Sequence, residues 1–152
     1  MAAKTYYERR SFRNALKTYL ESKGWPNDIN YREGFKSGAT ITIPAVSVHF
    51  LPSNKHALQL GPSGEQTYRR IIQVDAYMES EDRAGAISDD VMDFMDVVPI
   101  DIVNESSVSL GSLICFDTDS IYSEILPPIL NNPTIIQWRG VSRGTFEAHY
   151  SN

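Results

Sequence analysis

The stretch YRRIIQVDAYM, residues 68–78, decides the fold class of this 152-residue chain. Apolar residues alternate with polar ones along it, as expected for a strand of an antiparallel sheet with one buried face. The apolar set is Ile72, Val74, Ala76 and Met78, and the intervening set is Gln73, Asp75 and Tyr77. We therefore predict a long, half-buried strand with one face in the core and a mostly polar opposite face.

A helix is predicted directly after this strand. Ser80 has the position of an N-cap, and Glu81 and Asp82 follow in the first turn, where the helix dipole favours negative charge. Apolar residues then recur at helical spacing to about Asp96. The rest of the helix surface is acidic and includes Asp89, Asp90, Asp93 and Asp96.

An amphipathic helix is also predicted near the start of the chain, over residues 4–23. Its apolar stripe consists of Phe12, Ala15, Leu16, Tyr19 and Leu20. Basic residues occupy other positions, namely Arg9, Arg10, Arg13 and Lys17. Gly24 and Pro26 then end the helix in the expected order.

The segment between this first helix and the long strand contains turn-forming residues and two short apolar stretches. Residues 25–38 are predicted to form a long irregular connection held in place by a few aromatic side chains. Within residues 39–51 the apolar alternation changes parity at Pro44, which indicates a bulge, a sheet edge or a break. Residues 56–60 form a second short stretch between two turns.

Further strands are predicted after the second helix. They cover residues 107–116, 134–139 and 144–150, and a turn is predicted at residues 140–144. The resulting order is α-β-β-α-β-β. It predicts a single α+β domain over residues 1–152, with both helices packed on one face of a largely antiparallel, mixed sheet.

The charges of the chain are unevenly distributed. The net charge is −5, which argues against general nucleic-acid binding, because such binding relies on a basic surface. The first 36 residues carry eight basic and four acidic residues, whereas residues 75–124 carry thirteen acidic residues and one basic residue. This asymmetry suits association between copies of the chain or with a charged partner.

Candidate catalytic and metal-binding residues do not form a known motif. Residues 117–120 resemble the start of a calcium loop, but Tyr122 and Pro128 stand where Gly and Glu are needed. The three histidines lack zinc-site spacing, and the aspartates of the second helix suit a solvated or partner-facing surface better than a metal site. The sequence contains no apolar run long enough to predict a membrane span. We therefore predict a protein that is not an enzyme, with no catalytic, cofactor-binding or metal-binding residues and no cofactor.

One family resemblance follows from the order of the elements. Ala57-Leu58-Gln59-Leu60-Gly61 leads into the strand at residues 69–78 and then the helix at residues 82–95. This arrangement resembles the tail terminator, or tail completion, proteins of long-tailed bacteriophages. Those are small α+β proteins that close the end of the tail tube as a ring and present the surface that the head connector joins.

The resemblance implies a structural virion protein at the tail end or neck, made in the host cytoplasm. Its expected partners are copies of itself in a ring, for which a hexamer is expected, the tail tube protein, and the head connector or a neck protein. DNA would pass through the ring without specific binding. Two alternatives stay open: a head–tail connector or other neck subunit, and a small cytosolic ligand-binding α+β protein or enzyme. A buried cluster of titratable residues would favour the last of these.

The implied ring leads to two groups of candidate contact residues. A ring uses heterologous contacts, so we hypothesise that basic residues of the first helix face acidic residues of a neighbour's second helix. The basic set is Arg9, Arg10, Arg13 and Lys17, and the acidic set is Asp89, Asp90, Asp93 and Asp96. An acidic lumen or a merely solvated surface explains these charges equally well. Candidate contacts with the tail tube or connector lie in the predicted loops and are Trp25, Tyr31, Phe35, Arg139 and Arg143.

Overall fold

The computed structural model describes residues 5–33, 43–51, 57–60, 66–96, 99–115, 121–128 and 138–150. Two helices and eight strands lie within them. The first half of the chain forms α1 (Thr5–Ser22), β1 (Asn30–Glu33), β2 (Ala45–Leu51), β3 (Ala57–Leu60) and β4 (Gln66–Met78). The second half forms α2 (Glu81–Asp96), β5 (Ile100–Val103), β6 (Ser109–Cys115), β7 (Tyr122–Leu126) and β8 (Trp138–Tyr150). The predicted α+β class is confirmed, although the chain has more strands than the order α-β-β-α-β-β contained.

All eight strands belong to one mixed sheet, in which six follow the order β1-β2-β4-β8-β6-β5 and the other two, β3 and β7, pair with β4 and β8. Its centre is the antiparallel pair of β4 and β8, which runs from Gln66 opposite Tyr150 to Met78 opposite Trp138. Each central strand has two partners along its other edge. β4 pairs with β2 and β3, and β8 pairs with β6 and β7. β1 extends the sheet by pairing with β2 in parallel.

Both helices cover the same face of the sheet, as predicted. Phe12 of α1 packs edge to face against Phe94 of α2 and Phe146 of β8, with ring centres 5.3 and 5.6 Å apart. Phe146 shares its face of the sheet with Ile72 and the other apolar residues of β4, because Arg70 and Phe146 are register partners. The core therefore lies between this face and the two helices.

The predicted ends of the helices are also confirmed. Gly24 follows α1 with a φ of 94°, and the Trp25 N–H donates to the Leu20 carbonyl oxygen at 3.1 Å. This is the glycine-containing end that a left-handed residue permits. At the start of α2, the Ser80 hydroxyl oxygen accepts a hydrogen bond from the Arg83 N–H at 3.2 Å. Ser80 is therefore the N-cap.

The prediction for the segment between α1 and β2 needs correction. The connection at residues 25–38 is not wholly irregular, because β1 lies within it and the Asn30 N–H donates to the Pro44 carbonyl oxygen at 2.9 Å. Its polar residues form a strand because β2 supplies a distant pairing partner. The strands β5 and β7 were not predicted. Of the three alternatives for Pro44, a bulge, a sheet edge or a break, the structure shows a strand boundary, because β2 begins at Ala45, while Ile41 lies outside the described residues.

The predicted turn at residues 140–144 is wrong, because β8 continues through it without a break. Its glycines serve a different purpose. A Cβ on Gly140 would lie 2.1 Å from the Ser88 hydroxyl oxygen and 3.1 Å from the Ala84 carbonyl oxygen of α2. Gly140 thus lets the helix approach the strand closely, which is a recognised reason for glycine inside a strand.

We expect Gly140→Ala to lower the free energy of unfolding by about 1–3 kcal/mol, because the added methyl group forces α2 and β8 apart. Urea denaturation measures this loss. Adding Ser88→Ala should recover most of it, since the Ser88 hydroxyl has no hydrogen-bond partner among the described residues.

A matched control for this substitution lies in α2 itself. A Cβ on Gly85 would meet no atom within 4 Å. Gly85→Ala should therefore gain up to about 1 kcal/mol from helix propensity alone. Equal stability of Gly140→Ala and the wild type would contradict the close approach.

Candidate functional site

The face of the sheet that points away from the helices carries a group of polar side chains around Asp75. We call this group the polar cluster, and its members are His49, Gln73, Asp75, Tyr77, Arg139 and Arg143. They come from the adjacent strands β2, β4 and β8, whose register places both His49 and Arg143 opposite Gln73. The prediction of a polar face on β4 is correct in residue type. However, Asp75 is fully buried and Gln73 is 6% exposed, so this face is not solvated there.

The polar cluster is connected by charge-assisted contacts. Asp75 Oδ2 lies 2.8 Å from Arg139 Nη2 and 3.2 Å from His49 Nε2. The other carboxylate oxygen of Asp75 accepts a hydrogen bond from Gln73 Nε2 at 2.8 Å. Gln73 Oε1 in turn accepts from Arg143 Nε at 2.6 Å, and Arg143 Nη1 donates to the Tyr122 hydroxyl at 3.2 Å. A buried carboxylate is thus fully compensated by its neighbours.

These contacts determine the ionisation of Asp75. Burial raises the pKa of Asp75, but the contact with His49, the charge of Arg139 and the hydrogen bond from Gln73 outweigh burial and hold the pKa below its ordinary value of 3.8. The folded state therefore binds a proton at this carboxylate less readily than the unfolded chain does.

We expect this depressed pKa to produce acid sensitivity. A carboxyl group with a lower pKa in the folded state contributes stability above the unfolded value, and the contribution is lost as the pH falls through the folded value. The free energy of unfolding in urea should thus fall below about pH 4, and Asp75→Asn should reduce that dependence. Identical pH profiles for the two proteins would contradict the assignment.

A cavity of about 380 Å³ opens beside the polar cluster. Its described lining consists of Arg9, His49, Phe50, Leu51, Gln73, Asp75 and Arg139. Arg9 belongs to α1, and the other residues belong to the sheet. The cavity lies at the end of β2 beyond Val48, the last residue of β2 that pairs with β1. Among the described residues, no group of three or more His, Cys, Asp or Glu side chains could hold a metal ion.

The exposed side of α2 forms a second charged feature, which we call the acidic stripe. Its members are Asp82, Asp89, Asp93 and Asp96, all of them exposed. Within the described part of the chain, none of them has an ion-pair partner. The last turn of α2 contains no basic residue, and negative charge there opposes the helix dipole.

Asp90, the remaining predicted acidic contact, has a different environment. Its Oδ2 accepts a hydrogen bond from the indole Nε1 of Trp25 at 2.7 Å, and the Arg83 guanidinium lies 5.2 Å from the Trp25 ring centre. Asp90 and Trp25 therefore join the end of α1 to α2. Their predicted roles as contact residues stay predictions.

The four basic residues predicted as contacts are placed differently from one another. Arg13 Nε lies 3.7 Å from Glu33 Oε1, and Lys17 Nζ lies 5.8 Å from the ring centre of Tyr31, so both contact β1. Arg10 Nη1 donates to the Tyr6 hydroxyl at 3.4 Å. Arg9 lines the cavity and has no hydrogen-bond or ion-pair partner among the described residues.

The residues predicted to contact the tail tube or connector are also dispersed. Tyr31 is partly buried, and burial, followed by the charge of Glu21, raises its pKa to about 12. Phe35 lies outside the described residues. Arg139 and Arg143 lie on β8 rather than in a loop, with their side chains bound to Asp75 and Gln73. Their loop position is corrected, while their contact role stays a prediction.

The sequence did contain a partial signal for the polar cluster. Gln73 and Asp75 alternate with core residues, and Arg139 and Arg143 are four residues apart, so each pair lies on one face of its strand. What the sequence pattern lacks is the register between β4 and β8, which brings the two pairs together. To predict that His49 joins them, the register between β2 and β4 is needed as well.

Comparison with known proteins supports only the fold. No protein-family model and no curated protein matches the chain. One solved structure, whose name states no function, aligns over 99% of this chain and 99% of its own, with 10% sequence identity and a TM-score of 0.57. None of the helices in the described segments is long and apolar enough to cross a membrane. The chain thus shares its α+β fold, over its whole length, with a distantly similar protein.

Proposed function

We propose that this protein is a structural subunit that closes the end of a phage tail tube as a ring and provides the interface for head–tail joining. The observation that carries the proposal is the acidic stripe of α2, on a chain whose first helix is basic. A ring requires two different complementary patches on each copy. The α+β fold is also the one that the resemblance to tail terminators implies.

The acidic stripe is costly for an isolated helix. Asp89 and Asp93 are four residues apart, and like charges at this spacing destabilise a helix by about 0.2–0.5 kcal/mol. Asp93 and Asp96 also lie at the end of the helix where the dipole disfavours negative charge. A basic surface on a neighbouring subunit would turn this cost into a favourable contact.

We expect the double variant Asp93→Asn and Asp96→Asn to stabilise the monomer by about 0.3–1 kcal/mol and to weaken assembly at the same time. Urea denaturation and sedimentation velocity measure the two effects. Asp82→Asn is the matched control for the stability effect alone, because Asp82 lies in the first turn of α2, where its charge stabilises the helix. Unchanged assembly of the double variant would count against a role of the stripe in subunit contacts.

Electron microscopy of the purified chain at high concentration tests the proposed function. Closed annular particles with cyclic symmetry are expected. Isolated subunits or open chains of variable length, with no closed particles, would overturn it. If rings form, their binding to tail tubes or to capsid portals separates a tail terminator from a head–tail connector.

A small ligand-binding protein or enzyme is a second candidate, and the polar cluster favours it. The cavity volume of about 380 Å³ falls within the range of about 300–1,000 Å³ common for small-molecule sites. Asp75, however, is already compensated by Arg139, so its charge is not available as a free base. A small-molecule library that raises the melting temperature of the wild type but not of Asp75→Asn would favour this candidate.

A further inference from the structure

Arg9 is the charged group in the cavity lining for which the described residues supply no counter-charge. Its Nε atom is inaccessible to solvent and has no acceptor. The side chain as a whole is partly buried, between α1 and the end of β2. A guanidinium N–H that is held away from water without an acceptor is unfavourable, so this position is suited to an incoming anion.

The other polar groups of the cavity cannot serve as that anion. Asp75 is engaged through both carboxylate oxygens by Arg139, His49 and Gln73. The side-chain oxygen of Gln73 already accepts from Arg143. The Nε atom of Arg139 lacks an acceptor among the described residues, like that of Arg9. The cavity wall therefore has more donors than acceptors and a net positive charge.

We propose that this cavity is a socket for a carboxylate from a second copy of the chain, supplied by the acidic stripe of α2. This inference rests on the proposed ring and identifies the residues that form the contact between its subunits. Guanidinium groups bind carboxylates through directed, charge-assisted hydrogen bonds. Phe50 and Leu51, both half-buried in the lining, offer an apolar surface beside the two arginines.

The occupant follows from the positions of the two features. The acidic stripe lies on the exposed side of α2. The described lining of the cavity comes from α1, β2, β4 and β8 and contains no residue of α2. We therefore assign the occupant to a second copy, so that the contact passes from one subunit to the next. Such a head-to-tail contact closes into a ring when the rotation between subunits permits.

Mixing two charge-reversed proteins tests this pairing. One protein carries Arg9→Glu, and the other carries Asp89→Lys, Asp93→Lys and Asp96→Lys. Sedimentation velocity should show that each alone needs at least about tenfold more protein for half-assembly than the wild type, because like charges then face each other. An equimolar mixture should recover assembly, since the intact socket meets the intact stripe and the reversed socket meets the reversed stripe.

Lys23→Glu is the matched control, with a similar charge change at an exposed lysine just after α1 that is not among the predicted contacts. If the wild type assembles and Arg9→Glu has no more effect than Lys23→Glu, the socket is overturned while the ring stands. If both reversed proteins fail to assemble and their mixture also fails, the pairing is overturned. A wild type that stays monomeric under all conditions overturns both the socket and the ring.

Arg9→Met separates assembly from folding. It keeps an unbranched side chain and removes the charge. We expect it to weaken assembly while its monomer melts at or above the wild-type temperature, because the lost guanidinium has no partner within the described part of the subunit. A lower melting temperature with unchanged assembly would make Arg9 a structural residue and overturn the socket.

Discussion

Glu8→Ala is expected to lower the free energy of unfolding by about 3–5 kcal/mol, as is typical when one member of a buried ion pair is removed. Glu8 is fully buried in the first turn of α1. Its carboxylate accepts hydrogen bonds from Arg70 Nε at 2.7 Å and Arg70 Nη2 at 3.3 Å. The Tyr150 hydroxyl also donates to it. The substitution leaves the buried Arg70 guanidinium without its counter-charge.

Urea denaturation followed by circular dichroism measures this loss. The matched control is the double variant Glu8→Met and Arg70→Met, which replaces the whole pair with apolar side chains of similar size. Replacing a buried pair in this way is often neutral or stabilising, so the double variant should be more stable than Glu8→Ala. A Glu8→Ala protein with wild-type stability would show that α1 does not depend on this pair.

Phe12→Ala is expected to cost a similar amount, about 3–5 kcal/mol, because it opens a cavity in the core. The Phe12 ring is fully buried and meets Phe94 and Phe146 edge to face, with angles of 79° and 85° between the ring planes. It is therefore the contact at which α1, α2 and β8 meet. Its loss should weaken the packing of both helices against the sheet.

Chemical denaturation of two further variants provides reference values for the stability lost in Phe12→Ala. Phe12→Leu keeps most of the volume and should lose much less stability than Phe12→Ala. Tyr6 is 50% exposed on the same helix, so Tyr6→Ala should change stability by no more than about 0.5 kcal/mol. Equal losses for Phe12→Ala and Tyr6→Ala would contradict the position of Phe12 at this junction.

The elements predicted correctly from the sequence are those whose structure is determined by residues nearby in the chain. Alternation along residues 68–78, the N-cap at Ser80 and the end of α1 at Gly24 depend on neighbours a few residues away. β1 was missed because its polar residues form a strand only against β2, which is distant in the chain. Gly140 was misinterpreted because glycine suits both a turn and a close approach, and only the position of α2 distinguishes them.

The buried pair of Glu8 and Arg70 shows how more could have been inferred. Glu8 precedes Phe12 by four residues and therefore lies on the apolar stripe of its helix. Arg70 precedes Ile72 by two residues and therefore lies on the apolar face of its strand. Two opposite charges at core positions imply a pair, even without a known register. The polar cluster, by contrast, could not be predicted in this way. It depends on the register of three strands, which no local sequence pattern encodes.

The mass of the purified protein in solution tests the proposed ring most directly. Light scattering should be recorded across a range of protein concentrations and at low and high salt. We expect a closed assembly of several 17.1 kDa subunits that grows with concentration and dissociates as salt screens the contacts between charged surfaces. A mass of 17.1 kDa at every concentration and salt would contradict the ring.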